Sequence, residues 1–394
     1  MFSAYNAAMN GLSVLLLEKN DRCGRKLNIT GKGRCNLTNA CNREEFLNNV
    51  IANPKFLMSA ISRFSTEDTM AFFEGLGVKL KVERGNRVFP ESDRAQDITD
   101  ALYKACLDIG VTVLQRKVVS LITENGKIIG VNCIKEQYFA DRVVIACGGA
   151  SYPKTGSDGG GHRLAKSVGH NITEIRPSLV PLVSKDRICR DCMGLSLKNV
   201  GISFVSEDGK RVYDDQGEMM FTHFGVTGPC ILSASAHLKG KFPATLCIDF
   251  KPALDEKTLD ARILRDFSGM QNREIKNAFS ALLPSKIIAP FVEMTKIPPE
   301  TKVNSITKEQ RARIVSLMKS LPIKIIGTRP IDEAIVTGGG VDCREIDPRT
   351  MQSKLVKGLF FAGEVMDVDA YTGGFNLQIA FSTAYVAGNS VGNI

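Results

Sequence analysis

A chain of 394 residues, 43% hydrophobic and 24% charged, can bury a substantial core and is too long for one ordinary domain. Its formal charge of +9 comes from 51 basic and 42 acidic residues spread along the chain, without a long run of like charges. This distribution suits an enzyme that handles anionic ligands and argues against a dedicated nucleic-acid-binding protein.

The chain shows no sign of export or membrane insertion. Met1 to Leu17 is uncharged but has no basic n-region, and its apolar run stops at Glu18. No segment approaches the roughly eighteen apolar residues of a membrane span. The eleven cysteines are odd in number and scattered, which indicates reduced thiols. We therefore expect a soluble cytoplasmic protein that binds a small molecule and neither nucleic acid nor membrane.

The first predicted elements resemble half of a nucleotide-binding unit. Ser3 to Asn10 is predicted as a helix closed by Gly11, and Ser13 to Leu17 as a buried parallel strand ending in Glu18. This is the second half of a βαβ dinucleotide unit, and no complete G-x-G-x-x-G occurs. We expect the opening strand and glycine turn to be absent from this chain. Glu18 is placed to bind ribose hydroxyls; an exposed acid at a strand end is the alternative.

A glycine-rich, basic loop follows, which we interpret as running from Cys23 to Asn42. Its segment Thr30 to Asn39 combines free backbone N–H groups, fixed positive charge and amide side chains, which favours contact with a flavin and its phosphates. An ordinary surface loop is the alternative. Cys35 is interpreted as a packed cysteine rather than a redox thiol, because no resolving partner is evident.

The next elements alternate between helical and extended patterns. Helices are predicted within Phe46 to Leu76 and Asp97 to Ile109, and a parallel strand at Val111 to Leu114. A small antiparallel meander follows, and Val143 to Ala146 forms a strand that enters Gly148-Gly149. Parallel strands interrupted by a meander indicate an FAD domain rather than a plain NAD domain.

The pattern becomes β-rich near residue 177 and helical between residues 254 and 321. Thr307 and Gln310 predict a capping box at the start of one helix. We predict four segments: 1–176, first part of the FAD domain; 177–253 with 322–336, an inserted β-rich domain; 254–321, a helical subdomain; and 337–394, second part of the FAD domain.

The chain returns to the first domain with a strand-like run, Gly358 to Gly363, followed by Glu364. A helix with a glycine-rich entry is predicted from Gly373 to Gly388. Its N-terminus would stabilise negative charge developing on a reduced flavin ring, and Glu364 would reach the ribityl or phosphate region.

Two other features have less specific interpretations. Cys189 and Cys192 form a lone CxxC without two further ligands at zinc-finger spacing, so we interpret them as structural and predict no metal site. His223 could donate a proton to a reaction at the flavin or simply be a satisfied histidine, and these interpretations remain open.

At these residues the chain resembles a family of bacterial NAD(P)/FAD-dependent oxidoreductases, described as aminoacetone-oxidase-like or BaiN-type flavoproteins. The resemblance runs through Leu16 to Asn20, Thr30 to Asn39, Gly148 to Gly161, Phe221 to Pro229, Thr337 to Val341 and Gly358 to Gly388. It implies an α/β protein with a discontinuous, Rossmann-like FAD domain similar to that of glutathione reductase. An inserted β-barrel-like domain and a small helical subdomain would complete it.

The resemblance and the motifs together predict FAD as the bound cofactor. The predicted cofactor-binding residues are Glu18, Lys19, Lys26, Thr30, Gly31, Gly33, Arg34, Cys35, Asn36, Val118, Ala146, Gly148, Gly149, Gly363, Glu364, Asp369, Gly373, Gly374, Asn376 and Leu377. The absence of any complete glycine fingerprint argues against a separate nicotinamide domain, so NAD(P)H, if used, would dock transiently on the flavin. No catalytic residue or oligomeric state is assigned.

Three functions fit this reading. In the first, NAD(P)H reduces FAD and flavin N5 passes hydride to an activated C=C or C=O bond, with Tyr371, Arg34 and His223 as candidate proton donors or oxyanion stabilisers. In the second, the protein is an amine oxidase that releases hydrogen peroxide. In the third, it is a truncated, non-catalytic flavoprotein relative. RNA binding is disfavoured because no basic stripe with interleaved aromatics occurs.

Overall fold

A computed structural model describes residues 1–392 and divides the chain into two compact units. The first unit is Met1–Ser178 together with Pro330–Ile394, and the second is the continuous segment Leu179–Arg329. The first unit thus resumes at Pro330, within residues 322–336, which the sequence predicts to belong to the inserted domain. The short strands Arg176–Ser178 and Val336–Gly338, which flank the second unit in sequence, pair antiparallel within the first.

Parallel strands from both ends of the chain form the first unit. Leu15–Glu18 pairs with Thr112–Gln115, and Val143–Ile145 pairs with Leu359–Phe361. The last of these strands is fully buried, because Leu359, Phe360 and Phe361 point into the core. These pairings confirm the predicted α/β fold, in which residues near 360 return to the domain that the N-terminal segment begins.

Two small antiparallel sheets complete the strands of this unit. The predicted meander is confirmed as Val118–Glu124, Lys127–Cys133 and Gln137–Phe139. The second sheet contains Thr38–Asn39, Arg87–Pro90 and Leu80–Glu83. This corrects the prediction of a loop from Cys23 to Asn42, since that stretch also contains the helix Arg25–Ile29 and a 3₁₀ turn, Thr30–Gly33. The strand within it depends on pairing with residues 87–88, a contact that local periodicity cannot reveal.

The C-terminal helix is the longest helix of the described residues, and it packs against the parallel strand Leu359–Phe361. Its residues Phe375–Ser390 are buried on most sides and pack against the first helix of the chain. A Cβ at Gly388 would lie 2.5 Å from the Ser3 carbonyl oxygen, so this close packing requires glycine. The helices of the first unit are Phe2–Met9, Arg25–Ile29, Arg43–Asn48, Pro54–Arg63, Thr66–Gly75, Ala95–Asp108, Gly160–Ser167 and Phe375–Ser390.

The second unit contains a closed six-stranded barrel, confirming the predicted β-barrel-like insertion. In barrel order its strands are Leu182–Ser184, Gly225–Thr227, Arg211–Thr222, Ser196–Ser206, Ala244–Asp249 and Leu321–Thr328. Its helices are Arg187–Asp191, Pro229–Leu238, Glu256–Ser268, Ser285–Thr295 and Lys308–Lys319. The predicted capping box is confirmed: Gln310 N donates to Thr307 Oγ1, and Thr307 N donates to Gln310 Oε1. Across residues 1–392, no helix combines the length and apolarity needed to cross a membrane.

Candidate cofactor site

The carboxylate of Glu364 lies at the centre of a polar cluster in the first unit. It follows the buried strand Leu359–Phe361, in a 3₁₀ turn that begins at Gly363. Its Oε2 accepts from Lys26 Nζ at 2.6 Å, and its Oε1 accepts from Thr337 N at 2.8 Å and from Ser151 Oγ at 3.2 Å. The side chains of Lys26 and Glu364 are 25% and 19% exposed, so this ion pair is partly shielded from solvent screening.

A glycine turn closes over this carboxylate. Gly148 and Gly149 follow the strand Val143–Ile145, and Gly148 has a φ of +73°. A Cβ at Gly149 would lie 2.2 Å from Thr337 Oγ1 and 3.1 Å from Glu364 Cδ, so any other residue would push the cluster apart. We define the carboxylate cradle as Lys26, Gly148, Gly149, Ser151, Thr337 and Glu364.

The end of the first strand is tied to a loop near residue 156. Glu18 Oε1 accepts from Asn20 N at 2.9 Å and from Asn20 Nδ2 at 2.8 Å. Asn20 also donates to the Thr155 carbonyl, and Lys19 pairs with Asp158 at 2.8 Å. Glu18 and Lys19 are therefore held at the carboxyl end of a parallel strand, where nucleotides bind in folds of this type.

The C-terminal helix enters the site through two glycines. Gly373 and Gly374 have φ values of +125° and +101°, and a Cβ at Gly374 would lie 2.2 Å from the Thr38 carbonyl oxygen. Asn39 Nδ2 donates to the Gly373 carbonyl at 3.0 Å. With its amide oriented to satisfy both neighbours, Asn36 donates to the Thr38 carbonyl and accepts from Gly374 N. The N-cap residue, Gly374, has no side chain of its own, so the N–H groups of the first turn that Asn36 does not reach are available to an electron-rich group.

Asn376 and Leu377 occupy the first turn of that helix. Asn376 Oδ1 accepts from Ala370 N at 3.0 Å, and its Nδ2 donates to the Ala370 carbonyl at 2.8 Å. Leu377 packs against the hydrophobic core of the unit. Asn376 therefore holds the loop that leads into the helix, and Leu377 anchors the helix itself.

The loop predicted to touch the flavin has several structural roles. The Arg34 guanidinium bonds to Glu83 and Asp93 and stacks over the ring of Phe89 at 4.2 Å. Thr30 Oγ1 donates to the Leu27 carbonyl at 2.7 Å. Cys35 is fully buried, and burial raises the pKa of its thiol to about 12, as expected of a packed cysteine rather than a reactive thiolate.

The glycines of this loop shape the backbone. Gly31 and Gly33 have φ values of +57° and +86°, and a Cβ at Gly31 would lie 2.9 Å from Asn36 N. The loop therefore folds back on itself. The charge of Arg34, at the end of these glycines, is already balanced by the carboxylates of Glu83 and Asp93.

Three other predicted residues lie outside the carboxylate cradle. Val118 begins the meander and pairs with Cys133. Asp369 Oδ2 accepts from Ser178 Oγ at 2.6 Å, and its backbone carbonyl accepts from Ile51 N. Ala146 is exposed, just before the glycine turn. Their role in binding a cofactor stays a prediction.

In the second unit, His223 is exposed at the turn between the strands Arg211–Thr222 and Gly225–Thr227, with its ring edge against Phe224. Cys189 and Cys192 are buried there, and burial raises the pKa of each thiol to about 11. Both thiols are therefore protonated at neutral pH, which fits a structural role.

Sequence reasoning missed Ser151 and Thr337. Thr337 Oγ1 accepts from Ala150 N at 2.8 Å and from Ser151 N at 3.0 Å, although 186 residues separate Thr337 from Ser151. The signal available was the position of Thr337 directly before three consecutive glycines, a run with little reason to occur in a plain strand.

The site fits the FAD predicted from the sequence. Ser157 Oγ and His162 Nε2 are buried without a hydrogen-bond partner among the described residues. Ser157 Oγ lies 3.4 Å from where a Cβ of Gly148 would be, beside the carboxylate cradle. Bare glycine turns suit a pyrophosphate or ribityl chain, Glu364 can accept from hydroxyls, and Lys26 supplies positive charge.

Comparisons with known proteins agree with this geometry. The family model described as HI0933-like protein Rossmann domain matches residues 1–390. The 3-dehydro-bile acid delta(4,6)-reductase of Clostridium scindens is 28% identical over 387 residues, covering 96% of this chain and 92% of the relative. The ribosomal RNA dihydrouridine synthase of Escherichia coli is 30% identical over 389 residues, covering 98% of this chain and 93% of the relative.

A solved structure shares the fold at low sequence identity. A mutant of E. coli quinol fumarate reductase FrdA superposes with a TM-score of 0.50 and 15% identity, covering all of this chain and 68% of that one. The family match and the bile acid reductase confirm the resemblance drawn from the sequence, to flavoprotein oxidoreductases with a Rossmann-type FAD fold.

Proposed function

The chain belongs to the HI0933-like Rossmann family of FAD flavoprotein oxidoreductases, and we propose that it uses NAD(P)H to reduce a C=C bond conjugated to a carbonyl group. One observation carries the proposal: two full-length relatives are named for adding hydrogen to an unsaturated ring. One is a delta(4,6)-reductase of a 3-dehydro-bile acid, and the other forms dihydrouridine. Both names imply a ring alkene activated by a nearby carbonyl.

FAD, when bound, supplies the redox chemistry by accepting hydride from NAD(P)H and passing hydride to the substrate. The protein binds and orients the FAD. Glu364 could accept from ribityl hydroxyls, Lys26 could balance nearby negative charge, and the N-terminal end of the helix Phe375–Ser390 would stabilise negative charge on the flavin ring. Glu18 can accept from ribose hydroxyls at the adenosine end.

The proposed reaction balances as NAD(P)H plus a proton plus the alkene, giving NAD(P)⁺ and the saturated product. Hydride adds to the carbon remote from the carbonyl, because the carbonyl delocalises the charge that then develops. The proton adds to the neighbouring carbon. Because of this polarity, we expect a conjugated carbonyl to be required and an isolated alkene to be a poor substrate.

The test is anaerobic turnover by the FAD-loaded protein with NADPH or NADH and a panel of cyclic enones. We expect substrate-dependent oxidation of the nicotinamide, with a product two mass units heavier. The matched control is the corresponding saturated ketone, which should not be consumed. Hydrogen peroxide formation with an amine and oxygen, without enone reduction, would instead indicate the amine oxidase.

A second candidate substrate is a uridine base in RNA. It is favoured by the 30% identity to the E. coli ribosomal RNA dihydrouridine synthase over 98% of the chain, and by the formal charge of +9, which suits a polyanion. The chemistry would be the same, because the 5,6 double bond of uracil is conjugated to a carbonyl. This candidate runs against our expectation that the protein binds no nucleic acid.

The two substrates separate in one assay. Ribosomal RNA lacking dihydrouridine is incubated with the FAD-loaded protein and NADPH, digested, and analysed for nucleosides two mass units heavier than uridine. Conversion of RNA that weakens with added salt, without reduction of cyclic enones, would establish the RNA substrate. Enone reduction with unchanged RNA would establish the small-molecule reductase.

A further inference from the structure

We propose that Thr337 is a positioning residue that locks the glycine turn and Glu364 into the geometry required to bind FAD. Thr337 lies on the short strand Val336–Gly338, which pairs with Arg176–Ser178, and its side chain is buried. The inference deepens the proposed function, because it concerns the same cofactor site.

The hydroxyl of Thr337 organises the glycine turn. Its Oγ1 accepts from Ala150 N at 2.8 Å and from Ser151 N at 3.0 Å, which uses both of its lone pairs. The hydroxyl proton is left to point toward Ser151 Oγ at 3.4 Å. Without this oxygen, two backbone N–H groups of the turn would be buried without a partner.

The backbone of Thr337 organises the carboxylate. Its N–H donates to Glu364 Oε1, which also accepts from Ser151 Oγ, while Lys26 occupies Oε2. Three donors therefore fill most of the roughly four acceptor positions of the carboxylate and fix its plane. The remaining capacity on Oε2 lies beside Gly148, within 4.0 Å of where a Cβ of that residue would be.

One residue thus sets the position of the two groups that a dinucleotide would touch. The turn offers bare backbone at Gly148 and Gly149, and Glu364 offers an acceptor for a hydroxyl. The steric fit is mutual, because Thr337 Oγ1 occupies the space that a Cβ at Gly149 would take. A threonine at this position and a glycine at 149 are therefore matched parts of one arrangement.

The test compares the wild-type chain with two variants, Thr337→Val and Thr337→Ser, after removal of bound flavin. Thr337→Val keeps the shape and removes the hydroxyl, whereas Thr337→Ser keeps the hydroxyl and removes a methyl. FAD affinity is measured from quenching of FAD fluorescence on titration. We expect Thr337→Val to bind FAD about tenfold more weakly than the wild type, and Thr337→Ser to stay within about threefold. The matched control is Thr173→Val, because Thr173 Oγ1 also accepts a backbone N–H, from Gly340, outside the cradle.

Stability is followed in parallel by thermal unfolding of each flavin-free protein. If Thr337→Val does not fold, the FAD affinity of Thr337→Ser is compared with that of Glu364→Gln and with that of the variant carrying both substitutions. Wild-type behaviour of Thr337→Ser together with weak binding by Glu364→Gln supports the role of the hydroxyl. Equal FAD affinity in wild type and Thr337→Val, or equal losses in the Val and Ser variants, would overturn the proposal. In either case a wild type that binds FAD leaves the proposed function intact, whereas failure of the wild type to bind FAD overturns both.

Discussion

The hydrogen-bond partners of the buried side chain of His170 fix its imidazole in a single tautomer. Ser353 Oγ accepts from Leu355 N and Val356 N, so its proton must point to His170 Nε2, 2.8 Å away. His170 Nδ1 therefore carries the ring proton and donates to Glu345 Oε2 at 3.0 Å. The ring also packs edge-on against Phe361, in the strand that leads to Glu364.

Protonation of His170 would break this arrangement. A proton on Nε2 would face a hydroxyl oxygen with no free lone pair, and burial lowers the pKa of His170 below its usual value despite the neighbouring Glu345. With the folded-state pKa depressed, the unfolded chain binds more protons as the pH falls below about 6.5. This contribution to stability is therefore complete above that pH and is lost as the pH falls through the folded pKa.

We predict that replacing His170 with glutamine flattens the pH dependence of stability. The variant should lose roughly 1–2 kcal/mol at pH 7.5, because the new amide cannot reproduce both hydrogen bonds. Its melting temperature should then fall less than that of the wild type between pH 7.5 and pH 5.5. Calorimetry of both proteins at pH 7.5 and pH 5.5 measures these melting temperatures. His162 and His237 titrate in both proteins, so only the difference between them reports on His170, and parallel curves would disprove its role.

Among the elements, the C-terminal helix has a tightly constrained entry. Gly374 combines a φ of +101° with a would-be Cβ only 2.2 Å from the Thr38 carbonyl oxygen, on the short strand Thr38–Asn39. The helix start and this strand are therefore in direct backbone contact, which places Asn36 and Asn39 beside the helix.

We predict that Gly374→Ala is much more damaging than Gly77→Ala. Both glycines have positive φ, but nothing lies within 4 Å of a Cβ at Gly77. Gly77→Ala should therefore cost only the backbone strain of about 1–2 kcal/mol, whereas Gly374→Ala adds a clash of roughly 1–3 kcal/mol. Melting temperatures of the flavin-free variants measure the difference. Equal losses would mean that the helix entry can shift without cost.

The same contrast between local and remote contacts explains what the sequence could reveal. The strands ending at Glu18 and before Gly148 and Gly363 carry their signals in apolar runs followed by glycine or acid, and the structure confirms these strands. The strand Leu15–Glu18 was predicted to be buried but is partly exposed. The strand Thr38–Asn39 went unpredicted because it forms only by pairing with residues 87–88, about 50 residues later in the chain. The hairpin of Leu80–Glu83 with Arg87–Pro90 also went unpredicted, although its two strands pair locally.

The candidate site divides in the same way. Glu364 and the glycine turn could be predicted, since each stands at the end of an apolar strand. The contact between Thr337 and Ser151 could not be predicted, although three consecutive glycines follow Thr337, because it forms only when the chain folds back to bring together positions 186 residues apart. The balance of Arg34 by Glu83 and Asp93 was equally hidden, since both acids lie in the unpredicted hairpin region.

At the scale of the whole molecule, the two units differ in how the chain builds them. The first unit needs two separate segments, because its parallel strand Leu359–Phe361 pairs with Val143–Ile145. The second is one continuous segment with a closed barrel, which leaves no strand edge unpaired, and with its own core from Leu182 to Ile325.

We therefore predict that residues 179–329 fold without the rest of the chain, whereas residues 1–178 alone do not. The isolated barrel segment should unfold cooperatively in urea, with a stability within the roughly 5–15 kcal/mol usual for a domain. The N-terminal segment lacks both Glu364 and the strand that covers Val143–Ile145, so it should show no cooperative transition and no FAD binding. Circular dichroism during urea titration shows whether each of the two segments unfolds cooperatively. A non-cooperative transition for residues 179–329 would mean that the barrel depends on the first unit for its stability, despite having a core of its own.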